Sequence, residues 1–104
     1  LISSDSGAPF RLFVRAEFDD ESTREAWIEW LRDVHVPDVV RCGALDAEVV
    51  RLDGDAPAAF AAYRFPSRAA YERYLATDAP ALRAHAVARF PTARLTRSTG
   101  PIAV

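Results

Sequence analysis

Within the run Trp27-Ile28-Glu29-Trp30-Leu31-Arg32-Asp33-Val34-His35-Val36-Pro37-Asp38, the residue best suited to move a proton is His35. An imidazole titrates near neutral pH. A helix C-terminus or a neighbouring carboxylate favours its charged form, so a histidine at a helix end suits general acid/base work. Asp38, three residues on and past Pro37, is the carboxylate expected to orient the ring or to contact substrate. The competing reading is structural, with His35 capping helix carbonyls and Asp38 capping the following turn. Trp30 lies one turn before His35 and offers an aromatic wall to a flat substrate. The Tyr63 hydroxyl is a candidate donor to a developing oxyanion. Arg15 and Glu17 leave one strand on the same side as Phe13, and Arg64 is a similar strand charge. Charges in such positions are paired, solvated or functional. They are expected either to bind a substrate carboxylate or enolate, or to form an ion pair at a subunit interface.

Other candidates carry simpler readings. Trp27 shares helical spacing with Trp30, Leu31 and Val34 and reads as core. The Tyr71 and Tyr74 hydroxyls could also donate to an oxyanion but read more simply as helix-stripe residues with their tips in water, His85 as surface, and Cys42 as inert packing. No Gly-rich phosphate loop, Gly-x-Ser-x-Gly, cysteine pair or two-histidine metal motif occurs, so no metal, nucleotide or other cofactor is expected.

These residues need elements to hold them. Phe10 to Phe18 alternates as a strand, with Leu12, Val14, Ala16 and Phe18 against Phe13, Arg15 and Glu17. Ser22 and Glu25 have the spacing of a capping box, which opens a helix running to about His35, where Pro37 is expected to end it. Asp38 to Arg41 adds a short turn, and Gly43 reverses the chain. Leu45 to Leu52 is a second strand, Asp53-Gly54 a hairpin signal, and Ala58 to Phe65 a third strand, apolar on both faces. Ser67 caps a second helix striped by Ala70, Tyr71, Tyr74 and Leu75. Asp78 caps a third, with Leu82, Ala86 and Phe90 inward, and Pro91 stops it. Ala93 to Thr99 is the fourth strand.

The order β-α-β-β-α-α-β is that of an α+β, ferredoxin-like split βαβ fold, with the first and third strands central. Residues 10–104 form its single domain and residues 1–9 a flexible N-terminal segment. Helices cover one sheet face. The other holds Phe13, Arg15 and Glu17 with either the Phe60/Ala62/Arg64 row or the Ala61/Tyr63/Phe65 row of the third strand. A partly apolar open face needs a cover, and a second copy of the chain supplies one, so a homodimer is expected, with the small-molecule substrate beside His35.

Composition narrows the function. The net charge is −2, and all 13 basic residues are Arg, scattered along the chain, which argues against nucleic acid or an anionic membrane. Lysine-free, alanine-rich usage points to a GC-rich bacterial genome. No apolar run approaches the roughly 20 residues that span a bilayer. The first eight residues lack the pattern of a secretory signal, and with a single cysteine a cytoplasmic setting is expected.

The Trp27-to-Asp38 run and the stretch Tyr71-Glu-Arg-Tyr74-Leu-Ala-Thr-Asp78-Ala-Pro80-Ala-Leu-Arg83 together resemble an uncharacterised bacterial family of short proteins. That family lies in the dimeric α+β barrel superfamily, and the resemblance covers about residues 10–99. It implies relation to polyketide cyclases, cofactor-free monooxygenases and muconolactone isomerases. Related members carry a His-x-Pro near the end of the first helix, the histidine facing a cavity between sheet and helices. Carried onto this chain, the pattern implicates His35, with Pro37 as scaffold. It implies a cofactor-free isomerase, cyclase or lyase of natural-product type using His35 as acid/base. The alternatives are a cofactor-free oxygenase in the same cavity and a non-catalytic small-ligand-binding dimer.

Overall fold

The computed structural model describes residues 7–104; residues 1–6 of the expected N-terminal segment lie outside them. The Pro9 carbonyl accepts a hydrogen bond from Ile102 N–H at 2.8 Å, which ties the two ends of the described chain together. The strands are β1 (Phe10–Glu17), β2 (Asp46–Leu52), β3 (Ala58–Phe65) and β4 (Arg94–Pro101). They form one antiparallel sheet in the order β2-β3-β1-β4, which is the ferredoxin-like arrangement with β1 and β3 central.

Alternation along β1 decides which way each side chain faces. Phe10, Leu12, Val14 and Ala16 are buried, and register pairs them with Phe65, Tyr63, Ala61 and Ala59 of β3. These rows face the helices. The Phe60/Ala62/Arg64 row therefore joins Phe13, Arg15 and Glu17 on the open face, and Tyr63 faces the helices. Between β2 and β3 the chain needs five residues, because Leu52 pairs with Ala58, and Gly54 takes a φ of +150° that side-chain-bearing residues avoid.

The helices are α1 (Glu21–Trp30), α2 (Val36–Arg41), α3 (Arg68–Thr77) and α4 (Ala79–Arg89). Asp20, not Ser22, caps α1: its carboxylate accepts the Thr23 N–H at 2.7 Å, while the Ser22 hydroxyl donates to the same carboxylate. A carboxylate two residues earlier outcompetes the hydroxyl because it also meets the positive helix end as a full charge. Ser67 caps α3 through Ala70 N–H. Asp78 makes no side-chain cap on α4. No described helix is long and apolar enough to cross a membrane.

Pro37 does not stop the first helix. Proline lacks an N–H, and its ring collides with the carbonyl four residues back. The chain widens the turn ahead of it instead. Leu31–His35 forms a single π-helical turn, closed by the Val36 N–H reaching the Leu31 carbonyl, and α2 follows directly. The extra residue turns Val34 outward, 37% exposed, and brings Val39 into the core. Val34 thus leaves the expected buried stripe.

Candidate active site

His35 projects from this widened turn toward the helix-side face of the sheet. It meets a cavity floored by Leu12, Val14, Tyr63, Leu95 and Arg97 and walled by Trp27, Trp30, Leu31, Tyr74, Arg83 and Ala86. The volume is about 40 Å³, room for roughly three waters. The imidazole lies nearly flat on the Trp30 indole, with centroids 4.8 Å apart and planes inclined by 20°. Tyr63 meets the imidazole edge-on at 6.4 Å. Phe90, just past the end of α4, meets the indole edge-on at 5.5 Å.

The His35 Nδ1 is buried with no hydrogen-bond partner. Burial pushes the imidazole pKa down to about 4, and the nearby His85 and Arg97 push the same way. The ring is therefore neutral at ordinary pH, which corrects the expectation of a charge-favouring helix end. The backbone continues as helix past His35, and Asp38 turns away to pair with Arg41. Tyr63 is buried and its hydroxyl is held protonated, pushed well above the ordinary phenol range by loss of water. Tyr74, 3% exposed, is shifted the same way for the same reason; its ring and that of Tyr71 are buried, so neither stands in water as expected.

A neutral, partly buried imidazole makes stability depend on pH. Below pH 6.5 the unfolded chain takes up a proton that the folded chain accepts only near pH 4. His35 therefore contributes its stability above pH 6.5, and this is lost as pH falls through that window, by up to about 3 kcal/mol. Urea midpoints are expected to drop across the window, and to drop less in a His35→Gln variant. Equal slopes in the two chains would exclude His35 as the source.

Phe13, Arg15, Glu17 and Arg64 lie on the other side of the sheet. Arg15 donates to Glu17 at 2.7 Å and holds that carboxyl below the usual range. Arg64 donates to Asp46 at 2.6 Å. Phe13 stacks on Phe60 with centroids 5.6 Å apart. Strand period separates these four residues from the imidazole, so the structure assembles His35, Trp30 and Tyr63 and leaves the others outside the cavity. It adds Arg83 and Arg97, which sequence reasoning passed over, and Tyr74, whose simpler reading was a helix stripe. The signal was present: Arg97 is in phase with Leu95 on β4, and Ala79, Arg83, Ala86 and Phe90 recur at helical spacing. No cluster of three or more metal-ligating side chains occurs among the described residues.

A family model described as a domain of unknown function, DUF4286, matches residues 18–100. The chain belongs to the DUF4286 family. No curated protein matches it. Among solved structures, a dimeric ferredoxin-like protein from an uncultured marine organism superposes with a TM-score of 0.77 at 20% identity, covering 93% of this chain and 97% of that one. SnoaB, a cofactor-independent oxygenase from Streptomyces nogalater, gives 0.69 at 13% identity, covering 93% and 95%. A Bacteroides thetaiotaomicron protein described as a possible oxidoreductase gives 0.68 at 12% identity, covering 93% and 100%. These likenesses establish the ferredoxin-like fold of this DUF4286 protein.

Proposed function

We propose that this DUF4286 chain is a cofactor-free enzyme that shifts a proton on a small organic substrate held between sheet and helices. One observation carries the reading: the neutral His35 imidazole faces a cavity with its Nδ1 unpartnered. An unmet buried polar atom costs about 1–3 kcal/mol, which a bound substrate can return. In the proposed step a C–H next to a substrate carbonyl loses its proton to the imidazole. The electron pair moves onto the carbonyl oxygen, and the Tyr63 hydroxyl donates a hydrogen bond to it. Returning the proton at a different carbon gives an isomer, and attack of the carbanion on a second carbonyl gives a ring.

The fold shared with SnoaB prompts a second reading. In it the same carbanion gives its electron pair to dissolved oxygen, which is reduced to a carbon-bound peroxide and takes back the proton held by the imidazole.

Solvent-deuterium exchange into a panel of small β-keto and phenolic compounds tests the proton step. Exchange faster than in buffer is the expected result. Binding without exchange overturns the enzyme reading in favour of a non-catalytic binding protein. Oxygen uptake on adding an exchanging compound selects the second reading over the first.

The active form is proposed to be a homodimer joined across the open face. There the Phe13–Phe60 stack is flanked by the Arg15–Glu17 and Arg64–Asp46 pairs, an apolar centre with a charged surround. Sedimentation equilibrium is expected to give a dimer, converted to monomer by Phe60→Glu. A monomer in the parent chain would end that part of the proposal.

A further inference from the structure

The cavity's charge does not match the chain's. The sequence carries 15 acidic residues against 13 arginines. Yet no Asp or Glu lines the cavity, while Arg83 and Arg97 both do. Among the described residues, seven other arginines are tied to carboxylates, including Arg15 to Glu17, Arg51 to Glu25, Arg64 to Asp46 and Arg94 to Asp19. Arg83 and Arg97 have no such partner among the described residues. Partial loss of water holds the Arg97 guanidinium below the usual arginine range, and repulsion from nearby Arg83 adds to it. Around them stand the neutral His35, the protonated Tyr63 and Tyr74 hydroxyls and the Tyr71 hydroxyl, with His85 packed edge-on against Trp30. Every ionised side chain lining the space is therefore positive, and its counter-charge is missing.

We infer that the cavity takes an organic anion, with a carboxylate between Arg83 and Arg97 and a flat apolar body against Trp30 and Tyr63. This names the substrate class of the site proposed above and rests on that reading. Guanidinium groups match a carboxylate through paired N–H donors, and the partly desolvated setting strengthens the attraction. Arg97 is exposed and Arg83 half-buried, so the pair reaches the solvent side of the space. A ring needs more than the 40 Å³ open now, and these two flexible side chains are the parts free to move aside for it. The anion also does chemical work. Burial, His85 and Arg97 all oppose protonation of His35, and a carboxylate set beside Arg97 offsets the last of these, making the imidazole a stronger base once substrate is bound.

The test titrates acetate and benzoate, each against its uncharged amide, into the intact protein while following tryptophan fluorescence and the His35 ring signals by NMR. Carboxylates are expected to saturate and to bind at least about tenfold more tightly than their amides, with affinity falling as salt rises. Arg97→Gln and Arg83→Gln are each expected to weaken carboxylate binding about tenfold. Bound benzoate is expected to raise the His35 pKa. Equal binding of acid and amide, parent-like affinity in both arginine variants, or no saturation by either carboxylate at about 50 mM overturns the inference. The two proposals fail separately. Anion binding with no proton exchange leaves the anion site and removes the enzyme. Exchange on neutral compounds, untouched by either arginine variant, does the reverse.

Discussion

His35→Gln is expected to lower turnover of an accepted substrate by about 10²–10⁴-fold, the usual contribution of a positioned acid/base group. Glutamine keeps a polar, similarly sized side chain against Trp30, so folding is expected to survive, but its amide cannot take up a proton near neutral pH. The parent enzyme's pH profile carries the same claim. The base must be unprotonated, and burial sets its pKa at about 4. For the free enzyme, kcat/KM is therefore expected to be flat through neutral pH and to fall only as pH approaches that value. A limb near 6.5 would mean a water-exposed ring. Activity within a few-fold of the parent in the glutamine variant would remove His35 from the chemistry altogether.

Phe65→Ala is expected to cost about 3–5 kcal/mol, a large share of the 5–15 kcal/mol that holds a typical domain together. Phe65 is fully buried on central strand β3, where its ring meets Tyr71 at 5.4 Å and Tyr74 at 5.2 Å. Its loss leaves a void between sheet and α3 that no flexible side chain can fill. For a chain of this size the thermal midpoint is expected to fall by more than about 12 °C, read by circular dichroism. A shift of only a few degrees would mean that the helix settles onto the sheet when the ring is removed.

Much of this arrangement is legible along the chain because it depends on local chemistry. Ala58 to Phe65 is bounded by Pro57 and Pro66 and forms a strand over that whole span. Ser67 caps the helix that its hydroxyl predicts. The alternation in β1 separates Phe13, Arg15 and Glu17 from the core. What could not be read depends on partners distant in sequence. Both faces of β3 are apolar, so only its register against β1 shows that Tyr63 faces the helices and Arg64 does not. Arg97 becomes a cavity residue through β4 pairing with β1, a contact across more than eighty residues. Pro37 is the instructive miss. Its missing N–H disrupts an ordinary helix, but whether a helix ends or widens depends on what the following residues can bury. Here Val39, 1% exposed, rewards continuation.

The widened turn has a mechanical consequence. One surplus residue advances everything after it by about 100° around the helix axis, so the imidazole is aimed by backbone winding and not by a loop. Its bearing is as stiff as the rod that carries it, and no hinge lies between the ring and the sheet below. Removing a single residue from Leu31–His35 would rewind that rod and swing the ring off its target, even with every side chain of the pocket still in place.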